Sequence, residues 1–298
     1  MPEAVDANID DVPGFWWIGP DENPILVENA EAVLPHLPYF LAGWDIKWAG
    51  TAHNRSADIR IIEQPDGHYN VVSSGPGGAD FSFDNPYDAA NGLAGALISV
   101  HIAGNPNMIC LHAGAARVGN GLVIVLGDSF AGKSSVALHL AVLGHRFFSD
   151  DQIGVAIDNP SHGMCLGLMP KVRLPLPVDC GDAFRQFIDG YSAMQGDGLA
   201  YLKLWDGEAG TFGETAPVRA LVFLDRVEAG STELRVASRP ELVKSMISTA
   251  FAPHISSSDL LAGLNKLAEG TEAYHLRFES SREAASLLSQ KFQSPNNQ

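Results

Sequence analysis

GLVIVLGDSFAGKSSVALHLAVLGHRFFSDD, residues 121–151, decides how the rest of the chain is read. LVIVL at 122–126 is an unbroken apolar run, the pattern of a central strand covered on both faces. It enters a turn that holds Gly127 and Gly132. VALHLAVLG leaves that turn with apolar residues at helical spacing, and Gly144 stands just past the helix end. A second short strand, RFFS, ends on two adjacent aspartates, Asp150 and Asp151. Strand, turn, helix and strand in this order predict an α/β sheet.

The turn matches GxxxxGK[ST], the Walker A pattern, through Gly127, Asp128, Ser129, Phe130, Ala131, Gly132, Lys133 and Ser134, with Ser135 following. Each residue type has a physical role in holding phosphate. Glycines permit positive φ and let successive backbone N–H groups converge on phosphate oxygens. The helix that begins near Lys133 adds its positive end. Lys133 supplies a point charge to the β- and γ-phosphates, and the Ser134 hydroxyl is placed to ligate Mg²⁺. Phe130 deviates, because a bulky residue stands where small ones crowd a phosphate less. A glycine turn with a chance lysine is the plain alternative, and the strand before it and the helix after it argue against that.

Alternation along a strand would point Asp150 and Asp151 to opposite faces, one toward a metal and one toward an incoming hydroxyl. Two carboxylates this close also drive one pKa above the other, which suits a base working near neutral pH. DQIG, from Asp151 to Gly154, fits the DxxG of GTPases, but it follows Lys133 too closely. LNKLAEG also lacks the aspartate of NKxD, so guanine specificity is not supported. LHAG, with His112 and Gly114, lies one strand upstream. A lone histidine after an apolar stretch is ordinarily a core residue, so its role depends on context.

With 298 residues, 46% of them hydrophobic, the chain can bury two moderate cores. Its 35 acidic residues against 19 basic ones give a net charge of −16, which repels nucleic-acid phosphates and anionic lipid. Neither a nucleic acid nor a membrane is expected as partner. Cys110, Cys165 and Cys180 show no CxxC spacing and read as buried free thiols in a reducing compartment. MPEAVDANIDDVPGF is acidic where a signal peptide would be basic and apolar, and LAGALISVHIAG at 93–104 is too short to span a bilayer. A soluble, cytoplasmic protein is the expectation.

No internal repeat is visible. Residues 1–104 read as a β-rich N-terminal domain with strands in ILVEN, DIKWAGTAH, ADIRIIEQ, HYNVVSS and DFSFD. Its Trp16, Trp17, Trp44 and Trp48 are read as core rather than as a binding face. YDAANGLAGALISVHIAG reads as a helix bridging two domains, with Asn85 or Asp88 near its start and Gly104 past its end. Residues 105–293 read as the α/β domain and 294–298 as a disordered tail. VRALVFLD, TELRVAS and AYHLRF are expected strands; ELVKSMISTAF after Ser238, DLLAGLNKLAEG and SREAASLLSQKF are expected helices.

Taken together, LHAGAARVGNGLVIVLGDSFAGKSSVALHLAVLGHRFFSDD resembles the catalytic core of the HPr kinase/phosphorylase family, and most of all its divergent HPr-kinase-related subgroup. The order of parts is the same: a strand with a histidine, a G-x-G turn, GDS..GKS, a helix ending in GHR and a strand ending in DD. APVRALVFLDR is similar to the same subgroup. The resemblance implies an α/β P-loop kinase core with a mixed or parallel sheet and flanking helices behind the β-rich domain. It further implies ATP- and Mg²⁺-dependent transfer of a γ-phosphoryl group to a hydroxyl, and a homo-oligomer. Position by position, Lys133 and the loop from Gly127 to Ser135 would hold ATP, and Ser134 with Asp150 would hold the metal. Asp151 would accept the proton of the substrate hydroxyl, and His112 would belong to the active site.

The departures are specific. Ser135 stands where the family's GKSE has glutamate, and no ExRG-like segment is present. In the nearest basic stretch, LGLMPKVRLPLP, Lys171 and Arg173 are either phosphate contacts or part of a solvated loop. The acceptor stays open between a serine of a protein or peptide and a small-molecule alcohol. The alternative function is a degenerate kinase that binds ATP as a sensor or scaffold. A carboxykinase-like enzyme is disfavoured, because only 19 basic residues are available to serve a dicarboxylate.

Overall fold

The buried run at 122–126 is the centre of the larger of two compact units in a computed structural model that describes residues 14–74, 78–196, 198–204 and 207–293. Residues 1–13, most of the acidic N-terminal stretch, and the expected tail at 294–298 lie outside the described residues. One unit takes residues up to 38 and 44–104; the other takes 39–43 and everything from 105 onward. Residues 39–43, read from sequence as part of the N-terminal domain, thus belong to the second unit.

The first unit contains β1 (Phe15–Ile18), β2 (Ile25–Glu28), β3 (Ile46–Gly50), β4 (Ile59–Glu63), β5 (Tyr69–Ser73), β6 (Asp80–Phe83) and α1 (Pro86–Ala103). Among the described residues its strands form one sheet in the order β3-β1-β2-β4-β5-β6, antiparallel except for β2 beside β4. Trp16 and Trp44 are buried in it, whereas Trp48 is partly exposed and meets Trp16 edge-on at 4.9 Å. α1 starts where Asn85 accepts the Asp88 N–H at 2.9 Å, with Pro86 in the first turn. It packs on β5 and β6.

The second unit continues with β7 (Met108–His112), β8 (Gly114–Val118), β9 (Gly121–Leu126), α2 (Lys133–Val142), β10 (Arg146–Ser149), β11 (Gln152–Ala156), β12 (His162–Cys165) and β13 (Lys171–Arg173). Then follow α3 (Asp182–Tyr191), β14 (Ser192–Gly196), β15 (Leu199–Leu202), β16 (Thr215–Arg226), β17 (Glu233–Val236), α4 (Arg239–Thr249), β18 (Ala250–Phe251), α5 (Ser257–Glu269), β19 (Glu272–Phe278) and α6 (Ser281–Gln293). β9, β16 and β19 run parallel; β8 lies antiparallel between β9 and β10, so β10 points the same way as β9. The first residues of β16 pair with β12, which leads on through β11 and β7 to β18 in antiparallel register. β13, β15 and β14 form a separate small sheet. The fold is mixed α/β, and none of its described helices is long and apolar enough to cross a membrane.

β9 shows why an unbroken apolar run is needed. Leu122, Ile124 and Leu126 join a cluster with Leu242 and Met246 of α4 and Leu264 of α5. Val123 and Val125 face the other way, toward Val136 and Leu140 of α2 and Leu288 of α6. Each such side chain contributes about 1.5–3 kcal/mol by leaving water. α2 is covered on a further side, where Ala137 and Leu138 meet Phe147, Phe184 and Leu202. With two faces buried, VALHLAV has little room for polar residues. The carboxyl ends of β9, β10, β16 and β19 come out along one edge, where open α/β sheets bind their ligands.

Candidate active site

The glycine-rich turn leaves β9 and closes onto α2. Gly127 has φ +157°, and a Cβ there would lie 2.9 Å from the Ala131 Cβ. Gly132 caps α2 in the left-handed region at φ +99°. The Ala131 N–H donates to the Asp128 carbonyl at 3.1 Å, which tightens the turn. The first-turn N–H groups of α2 have no partner within the helix and carry its positive end. Lys133 is buried, and its ammonium reaches back across the loop to donate to the carbonyls of Gly127 at 2.9 Å and Asp128 at 3.1 Å. Burial lowers its pKa; the charges of Asp151 and Asp128 work against that. Asp128, Ser129 and Phe130 form the exposed tip of the loop, and Phe130 sits at φ +69°. Gly114 lets α2 approach β8, since a Cβ there would stand 3.0 Å from the Lys133 carbonyl oxygen.

The two aspartates do not continue β10. The strand ends at Ser149, and a bend follows. Ser149 holds that bend: its hydroxyl accepts the Asp151 N–H at 3.1 Å and lies 3.0 Å from the Ala113 carbonyl and 2.8 Å from that of Gln152. The side chains are therefore separated by the bend rather than by strand alternation. The Asp150 carboxylate is 3% exposed and accepts the backbone N–H of Lys171 at 3.1 Å. The Ser134 hydroxyl donates to the Asp150 backbone carbonyl at 3.3 Å, joining the first turn of α2 to the bend. Asp151 lies at the surface of the site, 2.9 Å from His112 Nδ1 and 3.9 Å from the Lys171 ammonium. His112 ends β7 opposite Gln152 and is itself exposed, not a core histidine.

The two carboxyls differ in acidity through burial of one and hydrogen bonding of the other; the mutual repulsion expected from their closeness in sequence is a minor part. Burial pushes Asp150 up to about 6, against the Lys171 N–H and ammonium, and the Asp151 charge adds only a smaller push. The hydrogen bond from His112 holds Asp151 below the usual carboxylate range, helped by the Lys171 charge.

Lys133, Ser134, Asp150, Asp151 and His112 thus meet at one place, with Lys171 touching both aspartates. Sequence reasoning passed over Ser149, although serine before two aspartates is a turn-forming pattern. It also passed over Arg226, Ser281 and Arg282, which with Ser135 and Asp179 line a shallow open cleft on another side of the first turn of α2. Their position at the ends of β16 and β19 was the available signal. Among the described residues no group of three or more His, Cys, Asp or Glu side chains could hold a metal by itself. The three cysteines are buried and free.

No family model matches the sequence, and no curated protein matches it. Among solved structures, the chain is similar to the Hpr(Ser) kinase/phosphatase from Coxiella burnetii, at 15% identity over 61% of this chain and 91% of that one, with a TM-score of 0.30. A likeness this slight leaves the chemistry to be argued from the residues themselves.

Proposed function

We propose that this chain is an ATP- and Mg²⁺-dependent kinase with a P-loop core, moving a γ-phosphoryl group onto a hydroxyl of a protein, a peptide or a small molecule. One observation carries the reading. The glycine-rich loop with Lys133 and the His112–Asp151 pair lie at the same sheet edge, tied together by the Ser134 hydroxyl on the Asp150 carbonyl. A phosphate-holding loop alone fits any nucleotide binder. An ionised, oriented carboxylate beside it fits a transfer reaction.

The N–H groups of the loop and of the first turn of α2 would hold phosphate oxygens, and the Lys133 ammonium, now on two loop carbonyls, would supply its charge to them. A polyanion there offsets the burial that lowers the Lys133 pKa. Mg²⁺, when bound, draws charge from the phosphate oxygens. It needs only one or two protein oxygens beside the phosphates, and the Ser134 hydroxyl and the Asp150 carboxylate are the groups to supply them. Asp150 fits this part because a cation offsets the desolvation that raises its pKa.

Asp151 takes the proton of the acceptor hydroxyl as its oxygen bonds to the γ-phosphorus and the bond to the ADP oxygen breaks. His112 and Lys171 keep that carboxylate ionised and aimed. A carboxylate with a lowered pKa is a weak base, but a loose transition state asks for little proton transfer before bond formation. Orienting the hydroxyl is then its main contribution.

The test compares wild type with Asp151→Asn, using γ-labelled ATP, Mg²⁺ and an extract of the source cells separated into protein and small-molecule fractions. Asp151→Asn is expected to keep its affinity for Mg-ATP within about twofold and to lose transfer by roughly 10² or more. ATP binding with no Asp151-dependent label in either fraction would replace the kinase by the sensor reading.

A further inference from the structure

Phe130 is placed against the ordinary preferences of a phenylalanine. It stands at φ +69°, a region in which a bulky side chain is an outlier, and its ring is 76% exposed at the tip of the phosphate loop. Glycine would suit the backbone, and burial would suit the ring; this position offers neither. What the ring does touch is the guanidinium of Arg173, whose Cζ lies 4.3 Å from the ring centroid. A residue that breaks a local rule with no gain to the core points to a role in the site.

β13 shows what that contact achieves. Lys171 and Arg173 are two residues apart on a strand and share a face, while Val172 between them is buried in the cluster beneath α2. Lys171 reaches Asp151 at 3.9 Å, and Arg173 reaches the loop tip at Phe130. The strand therefore sets two cations across the mouth of the loop, one at the aspartate side and one at the tip. Arg173 is exposed and has no carboxylate partner among the described residues. Stacking occupies the face of its guanidinium and leaves the N–H groups along the edge free to donate. That edge matches two phosphate oxygens at once.

We infer that Arg173 is a phosphate-binding residue of this site and that Phe130 is its positioning residue, holding the guanidinium face so that its edge meets the triphosphate. The inference rests on the reading of the loop as a triphosphate cradle. It gives the site an arginine from a strand outside the loop, and it accounts for a phenylalanine where small residues would be easier to fit.

The experiment titrates the full chain with Mg-ATP and, separately, with Mg-tripolyphosphate, which has no base to stack. Arg173→Ala is expected to weaken both ligands roughly tenfold or more. Phe130→Ala should weaken both about threefold, and Phe130→Tyr, which keeps the ring, should restore wild-type affinity. In the Arg173→Ala background, Phe130→Ala should add nothing, because its effect passes through the guanidinium. Phe130→Gly should be no less stable to urea than wild type while binding as weakly as Phe130→Ala, which separates lost positioning from lost folding. Weakening of ATP alone by Phe130→Ala would make the ring a base platform and overturn the inference. Unchanged binding by Arg173→Ala, or additive effects in the double variant, would overturn it as well. A wild-type chain that binds neither ligand would instead remove the cradle reading beneath it.

Discussion

Asp150 has its carboxyl pushed up to about 6 by burial, while the neighbouring Asp151 is held low by the His112 hydrogen bond. For stability the sign is definite. The ordinary value of Asp150 is 3.8, so between there and about 6 the folded protein keeps a proton that the unfolded chain has lost. That proton stabilises the fold fully below about pH 4, and the benefit disappears as pH rises through about 6. The span is worth roughly 3 kcal/mol, an upper figure for what the buried charge costs at neutral pH without a cation. Asn at this position keeps an oxygen for the Lys171 N–H but carries no charge. Asp150→Asn should therefore exceed wild type in thermal unfolding by only about 1 kcal/mol near pH 4.5 and by up to about 3 kcal/mol near pH 7.5, in buffer free of divalent cations. The same substitution should lower Mg-ATP-dependent transfer. A variant less stable than wild type near pH 7.5 would mean that the carboxylate belongs to the scaffold and not to the reaction.

α2 carries a glycine need at each end, and the two differ in kind. At its far end Gly144 has φ +84° with open space around it; its N–H donates to the Ala141 carbonyl at 2.9 Å, and the His145 N–H donates to that of Leu140 at 3.1 Å. This is a Schellman stop, and alanine there should cost about 1–2 kcal/mol of backbone strain without disturbing the first turn of the helix. Gly114, on β8, faces the other end. A Cβ there would lie 2.9 Å from a Val125 methyl and 3.0 Å from the Lys133 carbonyl oxygen, so the first turn of α2 must move. Gly114→Ala should cost about 1–3 kcal/mol and also weaken Mg-ATP binding. Urea midpoints and ATP titrations of the two variants check this, and equal ATP affinity in both would refute the link between that close approach and the site. Elements of this kind were legible in the sequence because their signals are local: a doubly covered strand, a helix with a glycine stop, and Ser238 with the Glu241 carboxylate returning to its N–H at 2.9 Å. α3 escaped notice although Phe184, Phe187, Ile188 and Tyr191 have helical spacing. The proline run LPLP before it reads as loop, and no glycine stop follows Tyr191. β1 escaped because four residues are too few to show a period.

At the scale of the whole molecule the missing signals are those of long-range pairing. Nothing local announces that β16 takes β12 along its first residues and β9 and β19 along the rest, nor that Lys171 closes on aspartates twenty residues earlier. Register across a sheet follows from burial of the whole, and that information is spread over the chain. The segment 39–43 is the clearest case. The Ala42 N–H donates to Gly167 at 2.8 Å, the Met169 N–H donates to Phe40 at 2.9 Å, and the Phe212 N–H donates to Ala42 at 3.1 Å. Phe40 is buried and meets the Tyr201 ring edge-on at 4.9 Å. Five residues from within the N-terminal stretch thus serve the core of the second unit. Two compact units should unfold in two calorimetric transitions, and Mg-ATP should raise only the one that belongs to the loop. Phe40→Ala is then expected to lower that ATP-responsive transition, at a cost of about 3–5 kcal/mol, and to leave the other in place. Trp16→Ala, in the sheet of the first unit, should do the reverse. If Phe40→Ala instead shifted the transition that ignores ATP, residues 39–43 would have to be returned to the unit that their place in the sequence first implies.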